Sequence, residues 1–383
     1  MTVKVSKPAI NIREGLADLH KPSGIAGEAM LRAETPQEQF NLIGAGRRRL
    51  NINGGMEVWQ RGTSFTGISS GNTYTTDRYP FKVTSSGTWT VSRESDAPSG
   101  FKYSFKALCT SGDSSPNQLR LYHSIEGQDV NQLAYGANDA KPLSVSFWIK
   151  SNVTGTYSSS LESHVSGRQA SLNFTIDSAG VWEKKELTFQ GDTVAAITTT
   201  NAGGLTLSLW FGATSALGTN GTTGGVWVTD SNYARLTGGL TVNLGATANN
   251  YVQITGIQLE VGKATPFEHR NFGEELAACQ RYFYKVDNAG GHTYNAYIRQ
   301  TNSNGTKQYS QEISLPVTMR TAPALTVTYT DMHKPGVRFD TIASVASVSS
   351  TAAVGLVFTV ATSDIHSISA QVRSLSVSAD AEI

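Results

Sequence analysis

Alternation of apolar and polar residues, repeated through the middle of the chain, constrains its fold more than any other feature. Leu143, Val145, Phe147 and Ile149 alternate with Ser144, Ser146, Trp148 and Lys150. Leu205, Leu207, Leu209 and Phe211 alternate with Thr206, Ser208 and Trp210, and Val226 and Val228 flank Trp227. Successive side chains on a strand point to opposite faces, so each run predicts a strand with one apolar face turned to a core. Gly/Ser/Thr/Asn stretches such as residues 216–225 separate the runs and predict loops. Within residues 252–261 the inward phase shifts by one near Gly256, which predicts a β-bulge. Many antiparallel strands with long loops predict an all-β sandwich, a jelly roll, over residues 51–270.

The two ends depart from this pattern. Over residues 1–50, Asn11 followed by Glu14 predicts a helix start with Ile12, Leu16 and Leu19 on one face. Thr35, Pro36 and Glu38 predict a second short helix, carrying Phe40 and ended by Gly44-Ala45-Gly46. Two such helices bury too little apolar surface to fold alone. They form either an arm that docks on another protein or a disordered leader, and the anchoring arm is the expectation adopted. Asn271 followed by Glu274, with Leu276, Cys279 and Phe283 on one face, predicts a third helix that opens the region 271–383. Strand-like runs resume there and predict a second, smaller sandwich.

Composition excludes several function classes. With 383 residues the chain is long enough for two or three domains, and no apolar run is long enough to span a bilayer. Lys4, Lys7 and Arg13 are followed by no apolar stretch, so no secretory signal is expected. A formal net charge of +1 argues against a nucleic-acid partner, and Arg47-Arg48-Arg49 is too short for a footprint on one. Charged residues make up only 16%, against about 25% in ordinary soluble domains. Ser, Thr, Asn and Gly fill the difference, as suits a β-rich surface meeting other subunits or polar ligands. Cys109 and Cys279 are expected to be small buried residues rather than a disulfide.

Motifs for chemistry are weak. Gly67-Ile68-Ser69-Ser70-Gly71 matches a nucleophile elbow but lies in a loop, where the strand and helix that the elbow needs are missing. The seven histidines are scattered singly, so no metal and no cofactor are expected, and nothing marks a pair of glycosidase carboxylates. One pattern stands out: Trp148, Trp210 and Trp227 all take the polar phase of their runs. Either they face a subunit or domain contact, or they stack on sugar rings, or the strand phase is wrong at these positions. Asp77-Arg78, beside Tyr79 and Phe81, reads either as a partly buried ion pair fixing a loop or as an exposed pair. Gln258 and Glu260 share the outward phase of one strand and serve an interface, a ligand or a solvated edge.

Four segments resemble phage and prophage tail-fibre and minor virion structural proteins. These are Asn51-Ile52-Asn53-Gly54-Gly55-Met56 through Trp59-Gln60-Arg61-Gly62-Thr63-Ser64-Phe65 to Thr76-Asp77-Arg78; Ile257 to Gly262 with Pro266-Phe267; Glu274-Glu275-Leu276 through Cys279-Gln280-Arg281-Tyr282-Phe283; and Leu315-Pro316-Val317-Thr318-Met319-Arg320 to Pro323. The second resembles the last strand of a carbohydrate-binding-module-like jelly roll, and the arm resembles leaders of marine phage structural proteins. The resemblance implies a non-enzymatic subunit in the virion, in a tail fibre or other external appendage, made in the host cytoplasm. It implies a homo-oligomer, usually a trimer, and contact with the host surface, where a glycan is the candidate partner, or with neighbouring virion proteins, reached through residues 1–50; the alternatives are a glycan-binding or glycan-cleaving receptor-binding protein and a capsid or tail component without receptor contact. It supplies no catalytic residues.

Overall fold

Thirteen strands build the first module of the computed structural model: β1 (Ser64–Ile68), β2 (Gly71–Thr76), β3 (Tyr79–Thr84), β4 (Thr88–Glu94), β5 (Ser104–Ser111), β6 (Gln118–Glu126), β7 (Leu143–Ser151), β8 (Gly155–Ser163), β9 (Arg168–Ile176), β10 (Glu183–Phe189), β11 (Gly203–Ala213), β12 (Val228–Thr229) and β13 (Tyr251–Val261). The structure describes residues 49–383 except 165–166, 231–232, 288–292, 302–306, 330, 335–336, 340–341, 361–368 and 374. The expected arm, with Ile12, Leu16, Leu19 and Phe40, lies outside the described residues.

The strands form two antiparallel sheets, ordered β1-β4-β5-β13-β7-β10 and β12-β9-β8-β11-β6-β3-β2. Their apolar faces meet as the alternation requires. Val145 and Phe147 of β7 are fully buried, as are Leu207 and Leu209 of β11 to within 2%. Aromatic pairs join the sheets: Phe81 on Trp89 at 5.5 Å between ring centroids, and Phe147 on Phe174 at 5.1 Å. The expected bulge falls where the phase shifts. Pairing of β13 with β7 slips between Thr255 and Gln258, and Gly256 takes φ +65° with the Phe101 ring against its α-carbon, where a side chain would collide.

The Asn271 side chain accepts from Glu274 N at 2.9 Å and starts α1 (Phe272–Gln280). Ten strands follow: β14 (Phe283–Asp287), β15 (Thr293–Thr301), β16 (Lys307–Ser314), β17 (Ala324–Thr328), β18 (Asp331–Lys334), β19 (Val337–Phe339), β20 (Ile342–Ser349), β21 (Ala353–Val360), β22 (Ser369–Arg373) and β23 (Ser376–Asp380). They make a three-stranded sheet, β14-β23-β17, and a seven-stranded sheet, β19-β18-β22-β15-β16-β21-β20. Ile313, Val354, Leu356, Phe358, Leu375 and Val377 pack a small core of their own. The chain is thus all-β, with sandwich sheets and few helices, as its alternation predicts.

The alternation misleads at one run. Val226 is 49% exposed and Trp227 is buried in the sandwich core, the reverse of the expected phase. Only Val228 and Thr229 pair as a strand, so no ladder fixes the alternation before them. The Trp227 ring instead packs edge-on against Tyr135, and its Nε1 donates to Gln190 O at 2.8 Å.

Candidate functional site

Residues from distant parts of the chain build a buried polar joint between the sandwich and the C-terminal module. It starts at Asn51, whose side-chain nitrogen donates to Tyr79 OH and Ile257 O, both at 2.7 Å, while its oxygen accepts from Leu259 N. Asn53 takes φ +57°, a conformation asparagine tolerates, and binds Val58 O, Thr76 Oγ1 and Asp77 O through Nδ2. Its own backbone N–H goes to Glu275 of α1, which also pairs with Arg49. Between them Gly54 lies so close to Ile257 O that no β-carbon fits.

Asp77 and Arg78 are both buried, and they do not pair with each other. This corrects the sequence reading of an ion pair between neighbours. Asp77 accepts from Gln60 N at 2.6 Å and Gln60 Nε2 at 3.1 Å and faces Arg61 at 3.4 Å. Burial pushes its carboxyl up to about 6, against the pull of the Gln60 N–H and Arg61. Arg78, in a turn at φ +71°, stacks over the Tyr282 ring at 3.4 Å, donates to Ser124 O at 2.5 Å and pairs with Glu382. Arg61 lies 3.5 Å over the Phe283 ring and reaches Asp380 at 3.1 Å and Glu382 at 3.3 Å. Arg281 grips Glu126 with two bonds of 2.8 Å, and Tyr282 OH adds a third at 2.6 Å. Arg320 donates to Ala381 O and Glu382 O. Each of the four segments from Asn51 onward that resemble tail-fibre proteins therefore contributes to this joint.

Beside the joint, on the outer face of the second sheet, lies a cleft of about 380 Å³. Its floor comes from β6, β8 and β11, through Arg120, Tyr122, Glu162, Thr206 and their neighbours, with Tyr233 and Ile383 at its walls. Two polar networks fix the floor. Arg120 donates to Glu162 at 2.7 Å and to Ser208 Oγ at 2.9 Å; Thr206 Oγ1 meets Ser124 Oγ at 2.8 Å and His164 Nε2 at 2.9 Å. Burial holds the His164 imidazole below its usual range, which favours the neutral ring. The charges of Arg120 and Glu162 are matched, Tyr233 supplies aromatic surface, and Tyr122 adds a ring that Arg120 covers in part at 4.9 Å. A rigid polar floor with aromatic walls suits a neutral polyhydroxylated ligand. A second cleft, of about 560 Å³, lies between α1 and the β4–β5 connection, near Tyr103 and the 55%-exposed Phe272. The Tyr103 ring already holds Arg93 at 4.2 Å and Lys102 at 5.1 Å, and Gln60 is committed to the joint.

The three expected tryptophans do not form one face. Trp148 is half-buried on the outer face of the first sheet, beside Lys184 and Thr255 in register. Trp210 points away from the hydrophobic core but is only 1% exposed. Its ring lies under the Arg120 guanidinium at 4.7 Å and its Nε1 donates to Ser160 Oγ. Residues 233–237 cross the same face, where Ser158 Oγ donates to Leu236 O and Ser171 Oγ to Arg235 O. Gln258 and Glu260 are likewise buried rather than solvated, because residues 265–268 fold back over them. The cleft residues were legible in one respect only: Arg120, Tyr122 and Ser124 alternate with Leu119, Leu121 and His123 as an outward phase.

Among the described residues no cluster of His, Cys, Asp or Glu could hold a metal, and no helix is long and apolar enough to cross a membrane. No protein-family model and no curated protein matches the sequence. Solved structures do match part of it. The enzymatically active domain of bacteriophage CBA120 tailspike protein 4 is 12% identical over 51% of this chain, with a TM-score of 0.30, and the match spans 21% of that chain. The module TmCBM61, solved with β-1,4-galactotriose, is 12% identical over 56% of this chain and all of its own, with a TM-score of 0.27. The CBM22-1 xylan-binding domain of Paenibacillus barcinonensis Xyn10C is 10% identical over 57% of this chain and all of its own, with a TM-score of 0.25. At such scores no residue's role is carried across.

Proposed function

We propose that this chain is a non-enzymatic structural subunit of a bacteriophage tail fibre or other external appendage, a homo-oligomer anchored through residues 1–50, whose sandwich meets a glycan surface through the cleft on its second sheet. One observation carries the reading. The segments that resemble tail-fibre proteins converge on the buried joint, not on a reactive centre. Catalytic residues surround the reacting atoms; these residues instead lock two β modules together, as a part that transmits force between particle and cell requires. The cleft supports the adhesive half of the reading, because its floor is held by hydrogen bonds and its charges are balanced. Glu162 is the one acidic side chain among the described lining residues, whereas glycoside hydrolysis uses two carboxylates at set separations.

Three measurements test it. An antiserum against the purified chain should decorate an external appendage of the phage particles, and decoration of the capsid shell alone overturns the placement. A glycan microarray should return neutral oligosaccharides, with the signal lost on Tyr122→Ala. Release of reducing ends from any bound polysaccharide would overturn the non-enzymatic assignment.

A further inference from the structure

We propose that the cleft is a composite site: the C-terminal module supplies one of its walls, so seating of residues 381–383 in the joint sets how far the cleft stands open. The identity of what enters rests on the saccharide reading above; the coupling rests on geometry alone.

Ile383 lines the cleft together with residues of three sandwich strands. It is placed there by the joint. Tyr74 OH donates to the Ile383 main-chain oxygen at 2.9 Å, and the preceding Glu382 is gripped by Arg78 and by Arg61 at 3.3 Å. Arg320 holds the backbone of the same segment, with bonds to Ala381 O at 2.9 Å and Glu382 O at 3.0 Å. The floor and the joint also share a residue. Ser124 offers its carbonyl to Arg78 on the joint side and its hydroxyl to Thr206 on the cleft side. At the rim, Gly203 packs so closely that a β-carbon there would fall within 3 Å of both the His164 ring and the Ile383 side chain. Withdrawing residues 381–383 therefore removes a wall, loosens Ser124 and frees the space beside His164. Conversely, a saccharide bound against Ile383 stabilises the seated joint, since a ligand that prefers one of two states shifts the balance toward it.

The chain carries its own reporters. Cys109 and Cys279 are both buried and free, Cys109 in the sandwich core and Cys279 on α1 at the joint. Burial raises both thiols, so neither reacts readily while covered. A His164→Cys background adds a thiol at the cleft rim, and N-ethylmaleimide labelling read by peptide mass spectrometry follows all three. Joint opening by Glu382→Gln should raise labelling at Cys279 and at position 164 together, by about five-fold or more, while Cys109 stays protected. The milder Tyr74→Phe should raise position 164 by a smaller factor, and it alone decides the matter if Glu382→Gln exposes Cys109 and so unfolds the sandwich. Labelling at position 164 that stays unchanged while Cys279 opens, or that is unchanged in Tyr74→Phe, overturns the coupling. A glycan microarray that is blank for the unmodified chain overturns the saccharide reading and leaves the coupling to be decided by the labelling. Equal microarray signals from the unmodified chain and Tyr74→Phe overturn the control of affinity by the joint.

Discussion

The joint and the cleft are made from the same kinds of side chain and use them in opposite ways. In the joint, Arg78 stacks on Tyr282 and meets Glu382 with its side chain 2% exposed. In the cleft, Arg120 lies over Trp210 and Tyr122 and meets Glu162 with its side chain 15% exposed. Water can still reach Arg120 if its partner is lost, whereas Arg78 would keep a bare charge in a medium that solvates it poorly. The same arginine, aromatic ring and carboxylate thus make a buried lock in one place and a partly exposed, hydrogen-bonded surface in the other. The segments that resemble tail-fibre proteins are concentrated at the lock.

The sharpest attempt to break this contrast is Arg78→Ala. It leaves Glu382 with Arg61 alone, removes the donor to the Ser124 carbonyl and uncovers the Tyr282 ring, and is expected to cost about 3–5 kcal/mol in chemical denaturation. A loss under about 1 kcal/mol would place Arg78 with the surface pairs. Trp227→Ala should cost about 3 kcal/mol, as a core truncation, while Trp148→Ala, on an outer face, should cost much less. Equal losses would restore the uniform face that the sequence suggested.

A pH series separates the joint's carboxylates from one another. Asp77 has a folded value of about 6 against an ordinary 3.8, so between those values the folded state holds the extra proton. Its contribution therefore favours folding in the lower part of that window and is lost as pH rises through about 6, with a slope of at most about 1.4 kcal/mol per pH unit. Glu126 runs the other way. Burial alone would raise it, but the hydrogen bonds from Arg281 and Tyr282 outweigh burial and lower it below 4.5. Its contribution is present above 4.5 and fades as pH falls through the lowered value. Asp77→Asn should flatten the stability profile between about pH 4 and 6 without moving the acid limb, and an unchanged profile would rule Asp77 out as its source. The smallest effect belongs to the cleft: Arg120→Ala should cost about 0.2–1 kcal/mol of stability, with its larger effect on microarray binding.

Much of the architecture was readable. The alternation in β7 and β11 placed Val145, Phe147, Leu207 and Leu209 in the core, the phase shift placed the bulge at Gly256, and the Asn271–Glu274 pair placed the start of α1. These are local facts, because strand pleat and helix capping act over a few residues. Function was less readable for the same reason. Asp77 and Arg78 looked like partners because they are adjacent, yet a turn sends their side chains to Gln60 and Arg61 in one case and Glu382 in the other.

By itself, the sequence determined which side of its own strand most residues take, and that the fold is nearly all-β with a short helix starting after Asn271. Only the tertiary structure decided what covers the second side. Trp210 lies beneath Arg120 on a face crossed by residues 233–237, residues 265–268 close over Gln258 and Glu260, and Ile383 reaches back to wall a cleft on β6, β8 and β11. A period of two records the preference of a side chain for an apolar or polar surrounding. It does not record whether that polar surrounding is water or another part of the chain. That choice is made by loop paths and by contacts between residues hundreds of positions apart, whose partners are set by the closed fold and not by any local pattern.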